Sequence, residues 1–272
     1  MSSSITKVFV VVDPSIDKQV ALERAIITSH YRDKDAVQIQ VFVGVDSESA
    51  NMRANNDNLH RDQNWYIETI KEPLEAAGLS YSVSFSWSLE WQESILQEAK
   101  HFGAETIYLP VQKKTNKRRF TFSENKWDLL KTANCPVVLV RPDAKTERKV
   151  VLAAVNFQAE DEDHKALNAR IIERAKWIAE SYGANLHLVN GYRDSMKYPD
   201  RGNLVKKSGV ASDKIHVLQG YTDEVVAEVA TKVNADVVVM GTLGQTGKVK
   251  TRRGNTAERV IANLDVDTIV VN

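Results

Sequence analysis

Asp236-Val-Val-Val-Met-Gly241-Thr-Leu-Gly244-Gln-Thr-Gly247-Lys-Val-Lys-Thr-Arg-Arg-Gly254-Asn255-Thr256 is the stretch whose reading decides the fold. Val237 to Met240 is a short apolar run of the kind that forms a strand buried on both faces, and it ends on Gly241. A loop with two further glycines and four basic residues follows, and Gly254 then opens a helix expected over Asn255 to Leu264. Strand, glycine-rich loop and helix N-terminus, in that order, are the parts of an anion site. Glycine lets backbone N–H groups come close to a ligand, and the first N–H groups of a helix have no partner inside it. The helix dipole adds partial positive charge at the same spot. The stretch therefore reads as a cradle for nucleotide phosphates. Two bland readings stand beside it. Gly241 and Gly244 also suit tight turns, and Asn255 suits helix capping, with Glu258 three residues later completing a capping box. A Walker-type loop is excluded, because Lys248 is followed by Val249 and not by a hydroxyl side chain.

Outward from this stretch, the chain repeats itself. Val8 to Val12 followed by Asp13, and Val150 to Val155 followed by Asn156, are both buried-type strands ending in a short polar residue. Each leads into an amphipathic helix, Lys18 to His30 and His164 to Tyr182; in the second, Leu167, Ile171, Ala175 and Ile178 recur at helical spacing. Second strands are expected at Val37 to Val45 and Asn185 to Val189, and third strands at Tyr81 to Trp87 and Lys214 to Gln219. From Ala99 onward the halves match at a constant offset of 131, which pairs Ala99 with Ala230, Leu109 with Met240, and Val137 to Val140 with Thr268 to Val271. The first half carries extra residues between Asp46 and Gly78, with a helix expected over Trp65 to Leu79. Arg141 to Arg148 is polar, contains Pro142 and reads as a linker.

Strands alternating with helices, apolar on both faces, argue for parallel sheets covered by helices. The expected fold is α/β, two tandem doubly wound five-stranded parallel-sheet domains, residues 1–143 and 147–272. Ligands in such sheets sit outside the carboxyl ends of the strands at the topological switch point. Asn156 and the Gly241 loop are expected to converge there.

Composition narrows the classes. Hydrophobic residues make up 43% of 272 and charged ones 26%, as in an ordinary globular protein. Lys plus Arg equals Asp plus Glu at 36 each, so no global charge advertises nucleic acid or membrane. One cysteine, Cys135, excludes an internal disulfide and reads as a small buried residue. The longest early apolar run, Val8 to Val12, is too short for a signal peptide or a membrane span, so the cytoplasm is the expected compartment.

The glycine spacing Gly241-x2-Gly244-x9-Gly254, the polar residue after the first strand and the βαβ order together resemble the universal stress protein family, and the resemblance covers nearly the whole chain as two copies. It implies the adenine nucleotide alpha hydrolase-like fold, a regulatory stress-response role, and ATP or a related adenine nucleotide as ligand. Carried over, Gly241, Gly244, Gly254 and Asn255 would contact phosphates, Thr256 would add a donor, and Asn156 would face the nucleoside. The sequence departs from the family pattern at two of these positions. Asn255 stands where ATP binders have serine or threonine, and Asn156 where they have aspartate; asparagine keeps an acceptor and adds donors. In the first half Pro110, Lys113 and Ser123 replace the glycines while Asp13 is present, so nucleotide is expected only in the second half. The resemblance also implies that one chain imitates the family's dimer, with further homodimerisation open.

Other signals are weaker. Lys113, Lys114, Lys117, Arg118 and Arg119 in one loop, and Lys248, Lys250, Arg252 and Arg253 in the other, are solvated loops or recruiters of an anionic ligand. The tryptophans Trp65, Trp87, Trp91 and Trp127 read as core, or as the lining of an apolar cavity in the first domain. The alternative function is accordingly a nucleotide-free scaffold that binds a protein partner, lipid or other anionic ligand. The six histidines form no close pair and no metal spacing, so no metal is assigned. No serine elbow or general base is visible; the expected activity is at most a slow ATPase.

Overall fold

The computed structural model describes residues 5–14, 16–46, 63–88, 90–111, 124–243 and 256–272. The chain divides into two compact units, residues 1–113 with 133–142, and residues 114–132 with 143–272. In the first unit, β1 (Thr6–Val12) is followed by α1 (Val20–Ser29) and β2 (Val37–Asp46). A helix begins as α2 (Gln63–Tyr66), widens through a π segment (Ile67–Lys71) and ends as α3 (Glu72–Ala76). Then come β3 (Ser80–Ser88), α4 (Trp91–Phe102), β4 (Thr106–Pro110) and β5 (Val137–Val140). The strands are parallel in the order β3-β2-β1-β4-β5.

The second unit includes α5 (Glu124–Thr132) and then β6 (Val150–Ala154), α6 (Glu162–Tyr182) and β7 (Asn185–Tyr192). It continues through α7 (Arg201–Ser208), β8 (Ile215–Gln219), α8 (Thr222–Lys232) and β9 (Val237–Gly241). It closes with α9 (Thr256–Asn263) and β10 (Asp267–Val271). Its strands are also parallel, in the order β8-β7-β6-β9-β10. Both units therefore have the expected doubly wound sheet.

The offset of 131 survives in detail. β4 and β9 begin and end at matched positions. Val111 N–H donates to Val140 C=O at 2.9 Å, and the equivalent Thr242 N–H donates to Val271 C=O at 2.9 Å. The residue that ends the preceding helix in the left-handed conformation is Gly103 in one copy (φ 76°) and Asn234 in the other (φ 51°). Asparagine is among the few side chains that tolerate that region.

The apolar stripe read from sequence is the buried face of α6: Leu167, Ile171, Ala175 and Ile178 are all at most 6% exposed. Burying each larger side chain contributes about 1.5–3 kcal/mol. The helix starts at Glu162, two residues before the expected His164, because Asp161 caps it by accepting from His164 N–H at 3.0 Å. Asp236 sets the entry to β9. Its N–H donates to Val150 C=O at 2.9 Å, and its carboxylate accepts from the N–H groups of Lys149 at 2.8 Å and Val150 at 3.0 Å. Burial works against that charge, but these donors and the Lys145 ammonium at 2.9 Å outweigh it and hold the carboxyl below its ordinary 3.8.

Two expectations need correction, the end of β7 and the burial of Cys135. β7 runs on to Tyr192, beyond Val189, because Asn190 is fully buried with its carboxamide bonded, so a polar residue did not end the strand. The stretch from Arg141 to Arg148, expected as a linker, holds the division between the units, and the arginines at its ends are buried, 6% and 3% exposed. Arg148 reaches buried Asp267 at 2.8 Å and lies over the Tyr182 ring at 5.3 Å. Cys135 is half-buried rather than buried. Of the tryptophans, Trp91 is buried and Trp65 half-buried, while the side chains of Trp87 and Trp127 lie outside the described residues.

Candidate functional site

β6 sits between β7 and β9, so the chain leaves it to one side and returns on the other; that is the switch point of this sheet. The parallel register pairs Val151, Leu152 and Ala153 with Val237, Val238 and Val239. Continued past the strand ends, it brings Asn156 level with Thr242. Asn156 and Gly241 thus emerge at the same edge. β9 and β10 are parallel as well, so α9 between them runs back along the sheet and begins at that edge, with Thr256 in its first turn.

The loop after β6 is held rigid from beneath by two buried asparagines. Asn168 of α6 accepts from Asn156 N–H at 2.9 Å and donates to Asn156 C=O at 2.8 Å. Asn190 of β7 accepts from Phe157 N–H at 2.8 Å and donates to Gln158 Oε1 at 2.9 Å, while Gln158 donates to Gly191 C=O at 2.7 Å. These side chains satisfy the loop backbone, which leaves Asn156 exposed at its tip. Among the described residues, none hydrogen-bonds to the Asn156 carboxamide. It can therefore offer both a donor and an acceptor to a ligand at the switch point.

Gly241 has a different reason to be glycine. Its φ is not in the left-handed region. A Cβ there would lie 2.7 Å from Leu167 Cδ1 and Cγ. The missing side chain admits α6 onto β9, so a glycine first read as ligand approach or a tight turn serves helix–strand packing. Gly244, Gly254 and Asn255, and the basic runs of both loops, lie outside the described residues. In the first unit Asp13 follows β1, and its C=O accepts from Gln19 Nε2 at 2.7 Å. Pro110 ends β4 at the position of Gly241.

Asn168, Asn190 and Gln158 escaped sequence reasoning. An asparagine inside a helix or strand reads as neutral until the partner backbone is in place. Sequence spacing also gave no sign of one contact: His187 of β7 and His216 of β8 meet, Nδ1 to Nε2, at 3.0 Å. Twenty-nine residues separate them in sequence, and only the β7–β8 register brings them together. Among the described residues no group of three or more His, Cys, Asp or Glu side chains could hold a metal ion, and no helix is long and apolar enough to cross a membrane.

This fold and site define a class. The universal stress protein family profile matches residues 4–141 and 192–272. The chain belongs to that family, and it is a tandem member. Universal stress protein E of Escherichia coli K12 is 28% identical, with 96% of this chain and 92% of that protein covered. The Haemophilus influenzae homologue of universal stress protein E is 26% identical, covering 96% of each chain. Among solved structures, PA1789 from Pseudomonas aeruginosa PAO1 superposes over 99% of this chain and 93% of its own, with TM-score 0.80 at 23% identity.

Proposed function

We propose that this tandem universal stress protein binds ATP or a related adenine nucleotide through its second unit, in a regulatory role in the stress response. The observation that carries the reading is the exposed carboxamide of Asn156, to which none of the described residues hydrogen-bonds, on a backbone held by Asn168 at the switch point beside the end of β9. That group suits a sugar hydroxyl or base edge, which asks for a donor and an acceptor at one place. Phosphates would fall to the segment that runs from Gly244 through Gly254 and Asn255 to Thr256, where helix N–H groups and dipole favour an anion. Gly241 supports the cradle only indirectly, since Leu167 occupies the space its Cβ would take.

That last point favours a second reading. If packing accounts for the glycine, the unit is also compatible with a nucleotide-free scaffold that engages a protein partner or another anionic ligand through its basic loops. Isothermal titration with ATP separates the two. Wild-type protein binds, Asn156→Ala weakens binding by up to about tenfold through lost hydrogen bonds, and Gly244→Asp abolishes it by bringing like charge to the phosphates. No binding at about millimolar nucleotide leaves the scaffold.

A further inference from the structure

The second unit holds a pair of imidazoles that the nucleotide reading does not use. His187 is the third residue of β7, and His216 the second of β8, the outermost strand of its unit. Val189 pairs with His216, so by strand alternation His187, Val189, Gly191 and His216 share one face. A Cβ on Gly191 would meet Val225 at 3.3 Å, which identifies that face as the one covered by α8. The ring planes lie within 18° of parallel, yet the centroids are 5.3 Å apart with the nearest nitrogens at 3.0 Å. Those values describe rings meeting nitrogen to nitrogen, edge to edge. Only one of the two facing nitrogens can carry a hydrogen.

We propose that His187 and His216 form an acid-sensitive clasp that ties the outer strand β8 to β7 through one N–H···N hydrogen bond, and that protonation of both rings, which leaves no acceptor between them, opens this edge of the unit. A doubly protonated pair would aim two N–H groups at each other across 3.0 Å. The surroundings make that state worse. Lys214 and Asp213 face the pair from the turn before β8, Arg201 from α7 and Lys232 from α8, so three of the four charged neighbours are cations.

Burial first, and then Lys214, lowers the His187 imidazole from its ordinary 6.5, while Asp213 partly opposes this. Burial, then His187, Lys232 and Arg201, lower His216. For bases depressed on folding, the unfolded chain binds more protons as pH falls below 6.5, so the clasp is intact above that value and its contribution is lost below it. Among the described residues, other side-chain hydrogen bonds also hold β8 and the turn before it: Arg201 to Ser212 Oγ at 3.1 Å, to Ser212 C=O and to Ile215 C=O at 3.0 Å, Lys214 to Asn185 at 2.8 Å, and Gln219 to Arg193 C=O at 3.3 Å.

Amide hydrogen exchange on the full chain at about pH 7.5 and about pH 5.5, corrected for intrinsic rates, reads the clasp directly. Protection over β8 falls roughly tenfold per pH unit below the titration, while β9 in the same unit keeps its protection. In the double variant His187→Gln, His216→Gln the selective fall disappears. Equal protection of β8 at both pH values overturns the proposal, and so does an unchanged fall in the variant. If the variant does not fold, imidazole NMR titration of the wild type decides. Two coupled steps with the second below 6.5 support the clasp, and independent titration of both rings at 6.5 overturns it. None of these outcomes depends on nucleotide.

Discussion

At Gly241 two explanations of one residue can be told apart. A glycine at the end of β9 fits both a ligand cradle and a packing contact, and the 2.7 Å that would separate a Cβ there from Leu167 favours packing. Gly241→Ala is therefore expected to destabilise the protein by about 1–3 kcal/mol through overpacking. Leu167→Ala opens the space, so the pair should be strongly non-additive in a double-mutant cycle read by urea denaturation. Additive losses would mean that Leu167 is not what the glycine accommodates. The sequence made Gly241 conspicuous without saying why, because a glycine advertises a close approach but never names the approaching atom. Asn168 and Asn190 were silent for the converse reason. Their value lies in the backbone groups of Asn156 and Phe157, which fold into reach only when α6 and β7 are in place.

At the scale of elements, strands and helices were largely legible because both halves spell the same order. The match of β4 to β9 at both ends, and of α4 to α8 at their starts, follows from apolar positions visible in the chain. Boundaries moved where a polar side chain was already spoken for, as with Asp161 at the start of α6 and Asn190 inside β7. The stretch before β6 reads as a linker and the division between the units falls within it, but its charges and proline give no sign that Arg148 is drawn inside by Asp267. That ion pair ties the approach to β6 to the start of β10, with both side chains at most 2% exposed. Asp267→Ala leaves a buried guanidinium without its carboxylate and is expected to cost about 3–5 kcal/mol, measured by denaturant unfolding. Joint replacement by Arg148→Met and Asp267→Leu should restore most of that. A loss under 1 kcal/mol for the single change would show that the pair is hydrated in solution.

At the scale of the whole molecule, one doubly wound design occurs twice and its functional parts are divided unequally. The first unit keeps an aspartate after its opening strand but ends β4 on Pro110. The second has Asn156 after its opening strand and Gly241 at the end of β9, with the glycine loop to follow. Such a division fits one unit specialised for a ligand and another released to other duties, with the boundaries proposed at 143 and 147. The proposed histidine clasp lies in the unit for which nucleotide binding is proposed, so nucleotide and acidity would act on one sheet by separate routes. The most direct test of the central claim is the amide NMR spectrum of the ¹⁵N-labelled full chain titrated with ATP. Shifts concentrated at Asn156, Thr242 and Thr256, with Asp13 and the end of β4 unmoved, are the predicted result. An unchanged spectrum at about millimolar ATP, or shifts confined to the first unit, would contradict it.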